Sequence, residues 1–104
     1  MMYKLPDGVQ VGPYFYRFKR SRVADRNKRW AETDHLMREI RFGELTTGVH
    51  IRTTLIHELI HAVESAYGMA LEEDDVTRIA NGLSQALTSL GLLPEEIEMA
   101  EVTR

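Results

Sequence analysis

"TTLIHELIHAVESAYG", residues 53–68, is the stretch that decides how the chain is read. Leu55, Ile56, Leu59, Ile60, Val63 and Ala66 recur near helical spacing, and Val49 extends the pattern upstream. The spacing predicts one amphipathic helix with Leu59, Ile60 and Val63 facing a core. Thr46 or Thr47 can cap its start, and Gly68 can close its end. On such a helix His57 and His61 stand one turn apart on a single stripe. Glu58 lies about 100° round the axis from His57.

Downstream, "LEEDDVTRIANGLSQALTSLG", residues 71–91, predicts a second helix. Its four acids gather in the first turn, where the helix dipole favours them. Val76, Ile79, Leu83, Leu87 and Leu90 form its expected apolar stripe, with Gly91 as the stop. "LPEEIEMAEVTR", residues 93–104, places Pro94 at a first helical turn and predicts a short C-terminal helix or tail. Upstream the pattern changes to a period of two. Val9 and Val11 alternate, Gly12-Pro13 punctuates, and Tyr14, Tyr16 and Phe18 share one face of a strand with Arg17 and Lys19 on the other. "ADRNKRWAETD", residues 24–34, reads as a polar loop. "HLMREIRFG", residues 35–43, reads as a further strand with Leu36, Ile40 and Phe42 on one face.

The expected fold class is therefore α+β in a single domain, 1–104. Residues 1–46 form a β-rich part, a small antiparallel or mixed sheet. Residues 47–91 form a two-helix, antiparallel part, and 92–104 the C-terminal segment. A length of 104 residues suits one modest core. With 43% apolar and 28% charged residues the composition is that of a water-soluble globule. No apolar run approaches the roughly 18 residues of a membrane span. Residues 1–12, "MMYKLPDGVQVG", hold no apolar stretch of secretory-signal type, so a cytoplasmic location is expected. The chain has no cysteine, which excludes a disulfide framework and a thiolate metal site.

Any metal must therefore be held by His, Asp or Glu. A His–Glu–x–x–His string on a helix is the pattern of zinc hydrolases. Imidazoles at i and i+4 can meet one ion at about 2.0–2.1 Å. The glutamate between them faces the side of the ion where water binds, which is where a general base is needed. Catalytic zinc normally takes a third protein ligand. Tyr67 occupies the position, ten residues after His57, where metzincins carry a third histidine. His50 is about 10 Å from His57 along the axis, and His35 lies in the expected strand. The acids opening the second helix are better placed. Glu73 and Glu72 lie towards the core side, and Asp74 and Asp75 lie more towards solvent. Glu64 shares the His61 face and suits a partner that orients the ring.

"TTLIHELIHAVESAYGMALEEDDVTRIANGLSQAL", residues 53–87, resembles small zincin-type metallopeptidase-like proteins of phages and bacteria. In these a string like "LLHELIHAI" precedes a glycine turn and a segment like "LSEEQVDRLA". The metal helix is also similar to that of SprT-like and ImmA-like intracellular proteases. The resemblance implies a minimal zincin-like fold, with the sheet packed on the metal helix. It implies His57, His61 and Glu73 as zinc ligands, and Glu58 as general acid/base on a zinc-bound water. The implied activity is hydrolysis of peptide bonds in an intracellular protein substrate. The strand Leu36 to Phe42 would rim the cleft and pair with substrate, with Tyr67 or His35 available as an oxyanion donor.

Two other functions fit the same residues. One is a metal-stabilised protein-binding module without turnover. The other is nucleic-acid association through "RFKRSRVADRNKR", Arg17 to Arg29. The charge is uneven enough for the latter. Residues 1–52 hold eleven Lys/Arg against six Asp/Glu, and residues 53–104 hold two against ten.

Overall fold

The computed structural model describes residues 2–21, 30–43 and 49–99. In chain order the elements are β1 (Met2–Lys4), β2 (Gly8–Val11), β3 (Tyr14–Arg20), β4 (Ala31–Asp34), β5 (Glu39–Phe42), α1 (Val49–Tyr67), α2 (Glu73–Ser89) and β6 (Glu96–Glu98). The fold is α+β. One mixed sheet has the order β2-β3-β5-β4, and a second, two-stranded sheet pairs β1 with β6.

The β2–β3 hairpin follows from its turn. Val11 pairs with Tyr14 across Gly12-Pro13. Glycine with φ +55 leads this two-residue loop, a conformation that side chains with a Cβ resist. A Cβ at Gly12 would also stand 3.0 Å from the Ala66 methyl, so the hairpin tip rests on the end of α1. The alternation of β3 holds as far as its inner face. Tyr16 is fully buried, and Tyr14 and Phe18 pack against the core.

Two segments differ from the sequence expectation for one shared reason. Residues 35–43 are not one strand, because Asp34 turns the chain. Its Oδ1 accepts from the amides of Leu36 and Met37 at 3.0 and 2.9 Å, and Arg38 takes the left-handed conformation, φ 56. Leu36 thus sits on a turn, 91% exposed, and only Ile40 and Phe42 keep the expected burial on β5. Residues 31–34, expected in a loop, form β4 antiparallel to β5. β5 lies between β3 and β4, so among the described residues the sheet's edge strands are β2 and β4.

Helix α1 packs on the sheet through Ile51, Leu55, Glu58 and Ala62, all buried. This spacing of four, three and four is a helical face, rotated from the expected one: Leu59 and Ala66 pack at the margin of the core. Ile60 is half-buried, and Val63 is exposed. α1 closes at Gly68, φ 67, with the Met69 amide donating to the Glu64 carbonyl at 2.8 Å, a Schellman cap. The candidate N-caps Thr46 and Thr47 lie outside the described residues. α2 folds back on α1 through Val76, Ala80 and Ser84. Ile79, Leu83 and Leu90, expected to be buried, are exposed. The small residues Ala80 and Ser84 let the helices approach closely, and this turns the larger side chains outwards.

In the described part of the C-terminal segment, where a short helix or tail is the expectation, Glu96–Glu98 form a strand. β6 pairs in parallel with β1, Tyr3 opposite Ile97, and the Leu5 amide donates to the Glu98 carbonyl at 2.8 Å. Leu5 and Ile97 enter the core beside α1. Among the described residues no helix is long and apolar enough to cross a membrane.

Candidate metal centre

The short link after Gly68 brings Glu73, the first residue of α2, over the two histidines of α1. Its side chain is 66% exposed, yet Oε1 lies 2.7 Å from His57 Nε2 and Oε2 lies 3.1 Å from His61 Nε2. The two Nε2 atoms are 3.2 Å apart. Donors bound tetrahedrally at 2.0–2.1 Å would be about 3.3 Å from one another. The three side chains thus have the spacing of a ligand set, and they can hold a metal ion. Glu72 is the exposed N-cap residue of α2, Asp74 is exposed, and Asp75 pairs with Arg78 at 2.7 Å. None of those three joins the cluster.

Glu64 explains how the cluster is held. Its Oε1 lies 2.8 Å from His61 Nδ1, and its Oε2 accepts the Leu71 amide at 2.8 Å. A carboxylate accepts only, so Nδ1 is the protonated ring nitrogen, and Nε2 of a neutral His61 carries a lone pair. That lone pair faces His57 Nε2 and the Glu73 carboxylate. A cation between these three groups, a proton or a metal, would satisfy all of them together. The Leu71 bond fixes the same link that positions Glu73, so one side chain orients a ring and places a carboxylate.

Glu58 stands on the buried stripe of α1 and is 5% exposed. A carboxylate there costs free energy unless it is paired. Thr33 Oγ1 donates to Glu58 Oε1 at 2.7 Å. Burial pushes the Glu58 carboxyl above its ordinary range, while the Thr33 hydrogen bond and the neighbouring imidazoles oppose that rise. Thr33 carried no signal in the sequence. It matters because β4, a short polar strand that no alternation marks, runs beside α1.

A cleft of about 1220 Å³ runs from the cluster along β4 and between the helices, reaching Trp30 at one side and Asn81 at the other. The remaining histidines are accounted for. His35 Nδ1 shares a 3.0 Å hydrogen bond with the Tyr16 hydroxyl and lines the cleft. His50 stacks on Trp30, with centroids 4.4 Å apart and planes 8° apart. Tyr67 lies at the far end of α1 beside Gly12, outside the cleft. The described part of the basic segment is divided. Arg17 is exposed on the outer sheet face, whereas Arg20 Nη1 donates to the Gly43 carbonyl at 2.8 Å. Residues 22–29 lie outside the described residues.

Comparison of the chain with models of known protein families, with curated protein sequences and with solved structures finds no match in any of the three.

Proposed function

We propose that the chain is a zinc-dependent metallopeptidase of the zincin type, with His57, His61 and Glu73 as ligands. One observation carries the reading. Three side chains able to ligate a metal converge at metal-ligand spacing with a buried carboxylate, Glu58, beside them in an open cleft. An ion pair for stability would not need that buried carboxylate. Two histidines and one glutamate are a donor set of catalytic zinc. When bound, zinc would supply Lewis acidity to a peptide carbonyl and to water.

The chain's own residues supply the rest. Glu58 Oε1 is occupied by Thr33, which leaves Oε2 to take a proton from the attacking water. The hydroxide oxygen bonds to the carbonyl carbon, the C–N bond breaks, and the proton passes from Glu58 to the leaving amine. Substrate is held by β4, in place of the Leu36–Phe42 stretch, whose strand part, Glu39–Phe42, is paired with β4. The Gly43 amide donates to the Trp30 carbonyl at 2.9 Å. Residues 30, 32 and 34 therefore turn their backbone groups towards β5, while Ala31 and Thr33 present theirs at the open edge. An extended peptide can add there as a fifth strand, directly above Glu58.

The test is to load purified protein with zinc, quantify the metal, and assay a mixture of fluorogenic peptides and an unfolded protein. Glu58→Gln should retain zinc and lose hydrolysis. Wild-type protein with full zinc occupancy and no cleavage of any substrate would overturn the peptidase reading and leave a metal-stabilised binding module.

A further inference from the structure

We infer that Arg52 is a specificity-determining residue that anchors a carboxylate of the bound peptide; this rests on the peptidase reading for the identity of the chain that carries the carboxylate. Two arginines line the cleft, Arg41 and Arg52. Arg41 is committed, with Glu32, Asp34 and Glu39 at 3.3, 3.1 and 3.0 Å. Arg52 has no carboxylate partner among the described residues. It is half-buried in the first turn of α1, which holds no acidic residue. A cation at that end of a helix is disfavoured by the dipole, so helix stability does not account for it. A guanidinium without a partner in a cleft offers a planar fork of donors that matches a carboxylate.

The surroundings suit the same ligand. Thr54, Thr77 and Asn81 add hydroxyl and amide donors along the cleft, and the stacked Trp30 and His50 rings form an aromatic wall. Arg52 lies five residues before His57, about 7.5 Å along the axis, and long helical side chains lean towards the N-terminus. Arg52 also lies about 140° round the axis from His57, so the guanidinium is separated from the imidazoles around the helix as well as along it. The carboxylate is that of an Asp or Glu side chain, or of the peptide's own C-terminus, several residues from the scissile bond.

Trp30 is the chain's one tryptophan, so its fluorescence reports occupancy of this end of the cleft without any turnover. Four probes separate the sources: acetyl-tetraalanine with a free C-terminus, its C-terminal amide, and that amide carrying one glutamate or one glutamine. Each is titrated into the protein as purified and again after chelation, which separates capture by Arg52 from coordination by a metal. At least one carboxylate probe should bind about tenfold or more tightly than its neutral counterpart. Which of the two does so identifies the source. Arg52→Met should abolish the preference with an unchanged melting temperature, and Arg52→Glu should transfer it to a lysine-bearing probe. In the zinc-loaded enzyme Arg52→Met should raise KM for the preferred peptide and leave kcat unchanged. Equal binding of charged and neutral probes by the wild type, or a preference that survives in Arg52→Met, would overturn the inference. Absence of cleavage alone would defeat the peptidase reading instead, because the binding measurements do not depend on it.

Discussion

Glu64→Gln is the substitution that most directly tests how the cluster is held. The carboxylate accepts two hydrogen bonds of 2.8 Å, one from His61 Nδ1 and one from the Leu71 amide. Glutamine is nearly the same size but has only one accepting oxygen. If that oxygen keeps the Leu71 amide, the NH2 group faces His61 Nδ1 and drives the ring proton to Nε2, the atom that faces the metal position. If it keeps His61, two donors collide at Leu71, and the link that carries Glu73 is released. Either outcome damages a ligand. Loss of a carboxylate that orients a metal-bound histidine costs about 10–100-fold in affinity. Competition against a chromophoric zinc chelator at fixed pH measures that loss, with urea unfolding of the metal-free variant as a control for the fold. A Glu64→Gln variant that folds normally and binds zinc as tightly as the wild type would refute the account, since the tautomer of His61 would then not depend on Glu64.

Other perturbations probe different parts of the structure. Zinc at about 100 times its dissociation constant should stabilise the folded chain by about 2.7 kcal/mol; at about 4–8 °C per kcal/mol for a chain of this size, scanning calorimetry should show a rise of roughly 10–20 °C. His57→Ala, His61→Ala and Glu73→Ala should each abolish most of that rise, and an undiminished shift in any of them would remove that residue from the ligand set. Thr33→Val takes the one hydroxyl from buried Glu58 Oε1; it should cost about 1–3 kcal/mol of stability and reduce peptide hydrolysis while zinc content stays at wild-type stoichiometry. Ile40→Ala empties a fully buried site between β3 and β4 and should cost about 2–5 kcal/mol in urea unfolding, whereas Ile60→Asp, at a half-buried position, should remain folded with a smaller loss.

The contrast between Ile40 and Ile60 shows where the sequence is legible and where it is not. Periodicity locates α1 almost to the residue, but it does not identify the buried face when a charged residue sits on it. The core stripe is Ile51, Leu55, Glu58 and Ala62, and a glutamate at its third position makes the pattern look rotated towards Leu59, Ile60 and Val63. The same carboxylate that misleads the reading of the face is the one whose burial next to His57 and His61 needs a chemical explanation. Local rule and local structure part company here because the residue serves the cleft, not the core. β4 and β6 are illegible in the sequence for a different reason. They are four and three residues long, too short for alternation to register. Each is defined by its partner: β4 by β5 across the Asp34 turn, β6 by β1, which is far away in sequence. That pairing also decides the cleft. Because β5 is enclosed by β3 and β4, it is the polar run Ala31–Asp34, not the apolar-looking Leu36–Phe42, that brings a hydroxyl to Glu58 and leaves two backbone units open beside it. Histidine spacing along one helix points to a cation, but only the register of a short edge strand against that helix makes the place beside it a site where an extended chain can lie.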